Sequence, residues 1–219
     1  MTTPLPIGVL LSGSGTNLQA IIDAIARGEL AAAIKVVISN RADAYGLVRA
    51  RQHGLPTVVV PHKDFPTREA FEAELIRILQ AHHVELVVLA GFMRLLSPVF
   101  IRAFRQRIMN IHPALLPAFP GTHAQRQALE RGVRIAGATV HFVDEEMDHG
   151  PIIVQAAVPV YPDDTEETLS TRILAQEHRI YAQAIQLYAE GRLQIDKQKV
   201  IVLDERQSPN LALRSPTSA

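Results

Sequence analysis

Near its start the chain reads Ile7-Gly8-Val9-Leu10-Leu11-Ser12-Gly13-Ser14-Gly15-Thr16-Asn17-Leu18, an apolar run that leads into a glycine-rich turn. The run is long enough for one buried strand, and the apolar spacing over residues 20–25 predicts that a helix follows the turn. A strand, a tight turn and a helix in this order form the first unit of an α/β fold.

The first half of the chain repeats this alternation of strand and helix. Short β-branched runs predict further buried strands at 34–39, 57–60 and 86–89. Apolar residues recur at helical spacing over 67–82, and Thr67 can cap the start of that helix. We therefore predict an α/β fold with a mostly parallel, doubly wound, Rossmann-like central sheet, whose ligand site lies beyond the carboxyl ends of the strands.

The second half of the chain combines longer strands with one long helix. Strands are predicted at 107–111, 135–143, 152–160 and 197–203. The helix is predicted over 164–190, where Asp164 and Glu167 have the spacing of a capping box.

The chain shows neither an internal repeat nor a low-complexity linker, so we predict a single domain over residues 1–206. Its two lobes, 1–104 and 105–206, are expected to share one continuous sheet, the first binding a phosphate and the second carrying the chemistry. Residues 207–219 are polar and contain two prolines, which predicts a flexible tail.

Composition limits the partners of the protein. The 219 residues include 22 Lys+Arg and 22 Asp+Glu, so the formal net charge is zero and gives no electrostatic footprint for nucleic acid or an anionic membrane. The absence of cysteine removes disulfides, thiolate metal sites and cysteine nucleophiles. Because the N-terminus has no basic residue and no long apolar run, we expect a cytoplasmic protein with no nucleic-acid or membrane partner.

The glycine-rich turn suits a phosphate group. Gly13 and Gly15 leave backbone N–H groups accessible at a helix N-terminus, and Ser14, Thr16 and Asn17 add polar side chains. Leu18 stands where the dinucleotide fingerprint needs a third glycine, and no Gly-Lys-Ser/Thr sequence follows, so a phosphomonoester is favoured over a dinucleotide or a nucleoside triphosphate. The alternative is a turn that serves only close packing of strand and helix.

Asn110 and His112 form the strongest chemical signal. Residues two apart in a strand face the same side, and Pro113 ends this strand just after them. An amide and an imidazole side by side can donate hydrogen bonds to a developing oxyanion, while neither suits a covalent nucleophile. The alternative is a pair of polar residues whose hydrogen bonds are satisfied by the backbone.

Two carboxylates complete the set of candidates. Asp148, in the acidic loop before Gly150, could accept a proton from an attacking group, although such loops are usually solvated turns. Glu177 falls on the apolar stripe of the long helix, where a carboxylate needs a partner or a polar ligand. It could bind ligand hydroxyls or form an ion pair with Arg172. The histidines have no metal-ligand spacing, so we expect no metal.

Four segments together resemble the phosphoribosylglycinamide formyltransferase family, the folate-dependent formyltransferases of purine biosynthesis. They are the glycine-rich turn, Ala90-Gly91-Phe92-Met93-Arg94, Asn110-Ile111-His112-Pro113 with Leu115-Leu116-Pro117, and the strand 137–143 that leads to Asp148-His149-Gly150-Pro151. The resemblance covers about residues 7–203 and implies the formyltransferase fold. It also implies transfer of a formyl group from the co-substrate 10-formyltetrahydrofolate to the amine of 5-phosphoribosylglycinamide.

The resemblance assigns roles to individual residues. Asn110, His112 and Asp148 would be catalytic. The ribonucleotide would bind to the loop from Gly13 to Asn17, with Glu177 on the ribose hydroxyls. The pterin of the folate would bind near residues 93–96 and the backbone of the acidic loop, and Arg68 could meet the folate's glutamate carboxylate. The folate contacts are thus expected at Arg68, Met93, Arg94, Leu95, Leu96, Val143, Asp144 and Asp148.

Two positions depart from the family pattern: Leu174 replaces a Lys or Gln that often reaches the substrate phosphate, and His149 replaces a small residue. The chain is expected to lack the extra domains of methionyl-tRNA formyltransferase and formyltetrahydrofolate deformylase, and to be a monomer or homodimer. A formylfolate hydrolase, a nucleotide-binding module without chemistry and a dinucleotide oxidoreductase are the competing functions.

Overall fold

The computed structural model describes residues 3–205, so the predicted tail at 207–219 lies outside the described residues. The strands are β1 Leu5–Leu11, β2 Ala32–Ser39, β3 Thr57–Val59, β4 Leu86–Leu89, β5 Ile108–His112, β6 Ile135–Phe142, β7 Ile152–Pro159, β8 Leu193–Asp196 and β9 Lys199–Val202. The helices are α1 Thr16–Ala26, α2 Tyr45–Gln52, α3 Arg68–Ala81, α4 Pro98–Ala103, α5 Ala124–Arg131 and α6 Glu166–Ala189, with a 3-10 turn at His62–Asp64.

All nine strands join one sheet in the order β3-β2-β1-β4-β5-β6-β7-β9-β8. The first five strands of this order pair in parallel, whereas β6 runs antiparallel to both β5 and β7. The predicted mostly parallel sheet is therefore confirmed. Successive strands β1, β2 and β3 extend the sheet in one direction and β4 and β5 in the other, so the turns after β1 and β4 border the crevice where such folds bind ligands.

Two apolar cores cover the two faces of the sheet. One contains residues of α1, α2 and α6, among them Leu18, Leu47 and Ile173, and the other contains residues of α3 and α4, among them Phe71 and Phe100. The parallel strands β1 and β4 are thus covered on both faces, which explains why nearly all of their residues are apolar.

The α6 N-terminus differs from the prediction. The capping box is formed by Thr165 and Thr168, each side chain accepting the other's backbone N–H, so the helix begins at Glu166. The predicted pair Asp164 and Glu167 does not cap it, because the Asp164 carboxylate instead accepts two hydrogen bonds from Arg172.

The predicted strand 197–203 is confirmed as β9, Lys199–Val202. The strand before it, β8, was not predicted; it forms a hairpin with β9 that turns at Lys197, whose φ is 55°. No helix within residues 3–205 is long and apolar enough to cross a membrane.

Candidate active site

The glycine-rich turn of residues 13–15 presents the uncapped start of α1. Gly15 is the N-cap residue with φ 70°, and a Cβ there would lie 2.5 Å from the Gly46 Cα, so only glycine fits. No acidic residue stands in the first turn of the helix. Gly13 and Ser14 are exposed, and Arg49 Nε donates to the Ser14 carbonyl at 2.9 Å, which brings a positive charge to the turn. These features suit an anion.

Glu177 lies beside this turn, buried against the first residues of α1. Asn17 Nδ2 donates to Glu177 Oε2 at 2.8 Å, although 160 residues separate them in the chain. Burial raises the pKa of the Glu177 carboxyl, and the hydrogen bond from Asn17 partly opposes this shift. The alternative of an ion pair with Arg172 is wrong, because Arg172 pairs with Asp164.

Asn17 Oδ1 is buried without a hydrogen-bond partner in the described structure. Asn17 Oδ1 and the Glu177 carboxylate are therefore hydrogen-bond acceptors that lie next to the N-terminus of α1, which favours an anion. A ligand that has both hydroxyl groups and a phosphate would suit this arrangement. Its hydroxyls would donate to the acceptor oxygens, and its phosphate would accept from the N–H groups at the start of the helix.

The strand pair β5–β6 brings four polar side chains onto one face. Asn110 lies opposite His141 and His112 opposite Thr139 in the antiparallel register. Asn110 Nδ2 and His141 Nε2 are 3.2 Å apart. Thr139 Oγ1 accepts from Leu116 N–H and donates to the Ala114 carbonyl, which fixes the chain just beyond His112.

Asp148 returns to this face from the connection between β6 and β7. Its Oδ2 lies 3.5 Å from His112 Nδ1, and its Oδ1 lies 3.9 Å from His141 Nε2. The Gly121 N–H donates to Asp148 Oδ2 at 2.8 Å. The structure thus brings Asn110, His112 and Asp148 together within one cluster, as the family resemblance implies.

Backbone carbonyls set the proton positions of both histidines. His112 Nε2 lies 2.8 Å from the Phe119 carbonyl, and His141 Nδ1 lies 2.9 Å from the Phe142 carbonyl. Because a carbonyl only accepts, each of these nitrogens carries a proton. Burial lowers the pKa of His141, so this histidine stays neutral near pH 7 and its bare Nε2 accepts from Asn110.

Gly150 allows the acidic loop to close on β6. A Cβ at this position would lie 1.9 Å from the Phe142 carbonyl oxygen, so no side chain fits. The neighbouring His149 is exposed, and its Nδ1 contacts Asp144 Oδ2 at 3.0 Å. That hydrogen bond raises the pKa of His149. His149, which departs from the family pattern, therefore contacts Asp144 at the start of the acidic loop.

The residues expected to contact folate lie on separate elements. Met93, Arg94 and Leu95 are exposed in the loop after β4, where Leu96 is half-buried. Val143 and Asp144 are half-buried at the start of the acidic loop. Arg68 is exposed at the start of α3, 3.9 Å from Glu69. The described contacts do not join Arg68 to the other members of this set.

Sequence reasoning missed three contributors to the cluster: His141, the Phe119 carbonyl and the Gly121 N–H. The predicted strand 135–143 contains His141 but indicates no partner for it, and backbone contacts leave no trace in residue identity. Within residues 3–205 no group of three or more His, Asp or Glu side chains could hold a metal ion.

Comparison with known proteins agrees with the fold and the residue pattern. The family model described as "Formyl transferase" matches residues 6–185. The phosphoribosylglycinamide formyltransferase of Escherichia coli is 46% identical over 203 residues, which cover 93% of this chain and 96% of that protein. The trifunctional purine biosynthetic protein adenosine-3 of Drosophila pseudoobscura is 54% identical over 190 residues, and this chain spans only 14% of its length.

A solved structure gives the same result in three dimensions. The glycinamide ribonucleotide transformylase 1 of Symbiobacterium toebii superposes with a TM-score of 0.91 at 57% identity, covering 93% of this chain and 96% of that one. The family match spans most of the chain and includes the cluster around Asn110, His112 and Asp148. The chain therefore belongs to the formyl transferase family.

Proposed function

We propose that the protein transfers a formyl group from 10-formyltetrahydrofolate to the amine of 5-phosphoribosylglycinamide, a step of purine biosynthesis. The observation that carries this proposal is the cluster of Asn110, His112 and Asp148 within a sheet whose neighbouring turn and Glu177 suit a ribonucleotide. The formyltransferases among its relatives support the same reaction.

The reaction proceeds by direct attack of the amine on the formyl carbon. A new C–N bond forms, and the C=O electron pair moves to oxygen to give a tetrahedral intermediate. Collapse of this intermediate breaks the bond to the folate nitrogen N10. The amine loses one proton and N10 gains one, so the products are the formylated ribonucleotide and tetrahydrofolate.

Asn110 and His112 stabilise the oxyanion of the intermediate. Asn110 Nδ2 has two protons, and because neutral His141 accepts one of them, the other remains for the substrate oxygen. His112 Nε2–H is held by the Phe119 carbonyl, so the formyl oxygen competes with that carbonyl for the proton. Donors placed before the charge develops lower the barrier by several kcal/mol, on the order of 3 for each lost donor in measured cases.

Asp148 orients His112 and helps to carry the amine proton towards N10. Its carboxylate Oδ2 lies 3.5 Å from His112 Nδ1 and is held there by the Gly121 N–H. A carboxylate beside an imidazole fixes the orientation of the ring and offers an acceptor for a proton.

The ribonucleotide binds across the start of α1. Its phosphate lies on the turn from Gly13 to Asn17, and Glu177 accepts from the ribose hydroxyls. Leu174 offers no charge to the phosphate one turn before Glu177, whereas Arg49 brings its guanidinium to the Ser14 carbonyl. Arg49 thus supplies the positive charge that the Leu174 position lacks.

The folate lies between the loop after β4 and the acidic loop. Met93 and Leu95 offer apolar surface to the pterin, and the backbone around Val143 and Asp144 offers polar contacts. Arg94 and Leu96 belong to the same loop, and Arg68 is available to the glutamate carboxylate of the folate.

Hydrolysis of formylfolate is the second candidate, because the same three groups could activate water. The pairing of Asn17 with Glu177 beside an uncapped helix start favours the transferase, since hydrolysis of formylfolate alone needs no ribonucleotide site.

The test follows the release of tetrahydrofolate from 10-formyltetrahydrofolate with and without 5-phosphoribosylglycinamide, in the wild-type protein and in His112→Ala. We expect release that depends on the acceptor and is lost in the variant. Release without the acceptor would identify a hydrolase. If the wild-type protein released no tetrahydrofolate under either condition, the proposed transferase activity would be refuted.

A further inference from the structure

The loop after β4, residues 90–97, carries unusually exposed apolar side chains. Met93 is 73% exposed and Leu95 is 60% exposed. Exposed large apolar residues that lie close together in a structured loop are typical of a binding surface for an apolar group. Such a surface binds well only if the loop keeps its shape without its ligand, because ordering a loop on binding costs affinity.

Ser12 holds the beginning of this loop through two hydrogen bonds. The Ser12 N–H donates to the Gly91 carbonyl at 3.0 Å, and the Met93 N–H donates to Ser12 Oγ at 2.9 Å. Ser12 itself is buried, 5% exposed, at the carboxyl end of β1. Although it adjoins the glycine-rich turn, its side chain bonds to the other loop at the crevice.

Asn40 determines the direction of the Ser12 hydroxyl. Ser12 Oγ donates its single proton to Asn40 Oδ1 at 2.7 Å, so its lone pairs are left for the Met93 N–H. Asn40 is also buried, and its Nδ2 lies 3.3 Å from His62 Nδ1, which fixes which end of the amide faces Ser12. The Ser12 hydroxyl is thus an acceptor towards the loop because of Asn40, which directly follows β2.

Glu72 holds the other end of the loop. This carboxylate, 1% exposed on α3, accepts from the Ser97 N–H at 2.8 Å and from the Ser97 hydroxyl. Ser97 is the N-cap residue of α4, yet its hydroxyl caps no helix N–H and donates to Glu72 instead. Buried polar side chains therefore hold both ends of the segment that exposes Met93 and Leu95.

We propose that Ser12 is a positioning residue for the one-carbon donor: its hydroxyl, oriented by Asn40, holds residues 90–97 in the shape that receives the donor's ring. The proposal rests on the proposed function for the identity of that donor. Ser12 touches no reacting group in this scheme and acts only through the Met93 backbone. Its loss weakens binding of the folate and leaves the ribonucleotide site and the chemical step intact.

The experiment compares wild type with Ser12→Ala by steady-state kinetics for each substrate, and by calorimetric titration with tetrahydrofolate. We expect KM for 10-formyltetrahydrofolate and Kd for tetrahydrofolate to rise about three- to tenfold, the range for loss of one hydrogen bond. KM for the ribonucleotide and kcat should stay within about twofold.

Ser39→Ala is the matched control. Ser39 is also buried at the carboxyl end of a neighbouring strand, but its hydroxyl bonds only to the Arg41 backbone. It should leave both KM values unchanged. Thermal unfolding of each variant shows that the fold is retained.

Asn40→Ala separates the orienting role from a direct one. It should raise KM for the folate in the same direction, and it should add nothing in the Ser12→Ala background if it acts through the Ser12 hydroxyl. Additive effects would overturn the role assigned to Asn40.

Two outcomes would overturn the role assigned to Ser12. One is unchanged folate KM and Kd in a folded Ser12→Ala protein, and the other is a larger rise in KM for the ribonucleotide than for the folate. If wild type shows no acceptor-dependent turnover, the proposed function fails, while the two tetrahydrofolate titrations still decide whether Ser12 positions the loop.

Discussion

Asp148 adopts a left-handed backbone conformation, with φ 53°, that non-glycine residues rarely keep without compensating contacts. Its carboxylate supplies such contacts, because it accepts from the Gly121 N–H and faces His112. The conformation delivers the carboxylate to the histidine at the cost of local strain. A residue held in this way is a good candidate for a role in the transition state.

Asp148→Asn should therefore affect turnover more than binding. We expect kcat to fall about 100-fold or more, the usual scale for losing a group that assists proton transfer, with Kd for tetrahydrofolate within about threefold. Single-turnover kinetics and calorimetry measure the two effects, and the exposed Asp163→Asn is the control. A large loss of folate binding with intact turnover per bound complex would contradict this role.

If Glu177 binds the ribonucleotide as proposed, that binding should be sensitive to pH. Burial raises its pKa above the ordinary value of 4.5, so the carboxylate becomes protonated as pH falls through that raised pKa and loses acceptor strength. KM for the ribonucleotide should rise over this acidic interval. Glu177→Gln should raise KM at neutral pH about tenfold and abolish the dependence. If the variant kept the pH dependence of KM unchanged, Glu177 would not be a ribonucleotide-binding residue.

At the scale of elements, α6 links the two halves of the site. The Tyr181 hydroxyl in this helix shares its one proton between the carbonyls of Leu89 on β4 and Met109 on β5, at 2.9 and 3.0 Å. One turn earlier, Glu177 meets Asn17 at the start of α1. The position of α6 along the sheet therefore controls the distance between Glu177 and the reacting cluster, and its N-terminal cap helps to keep it in place.

Removal of that cap should lower stability measurably. Thr165→Ala removes the side chain that accepts the Thr168 N–H, and we expect the free energy of unfolding to fall by about 1 kcal/mol. Thr171→Ala, in an exposed position of the same helix, should cost less because alanine favours helix interiors. Urea denaturation measures both. If both variants lowered the free energy of unfolding equally, the Thr165 cap would stabilise the helix no more than an exposed interior threonine does.

At the scale of the whole molecule, the ion pair of Asp164 and Arg172 makes the free energy of unfolding depend on pH in the acidic range. Two hydrogen bonds from the guanidinium hold the pKa of Asp164 far below its ordinary value of 3.8. A carboxylate with a lowered pKa stabilises the fold above its unfolded pKa, and this contribution is lost as pH falls towards the folded value.

Asp164→Asn should lower the free energy of unfolding by about 1.5–3 kcal/mol at pH 7, the range for hydrogen bonds to charged groups. The variant should then lose less stability than wild type between about pH 5 and pH 3. Thermal denaturation followed by circular dichroism across this range is the measurement. Parallel curves for the two proteins would show that this pair does not govern acid stability.

Much of the molecule could be predicted from its sequence because buried strands and amphipathic helices leave periodic patterns. The runs that form β1 and β4 and the stripe that forms α3 are of this kind. The helices α2 and α5 were not predicted, because each has only 8 residues and most of its buried positions are glycine or alanine, which give a weak apolar signal. The spacing of Asp164 and Glu167 was misleading because Arg172, eight residues away from Asp164, competes for that carboxylate.

The candidate site shows the same division. Asn110 and His112 share a face because residues two apart in a strand point to the same side. The sequence shows this through their spacing and through Pro113, which ends the strand. Glu177 stands out because a charge on an apolar stripe is costly. The neutral state of His141 depends on burial and on the Phe142 carbonyl, and the Phe119 contact to His112 depends on a loop path that no residue type encodes.

The antiparallel pairing of Asn110 with His141 also determines where the gene can gain or lose codons. A one-residue insertion within β6 would turn His141 to the opposite face and separate it from Asn110. An insertion at Gly132, an exposed turn between α5 and β6, leaves the pairing unchanged. Length variation among natural or designed versions of this chain should therefore accumulate near Gly132 and be absent from β6.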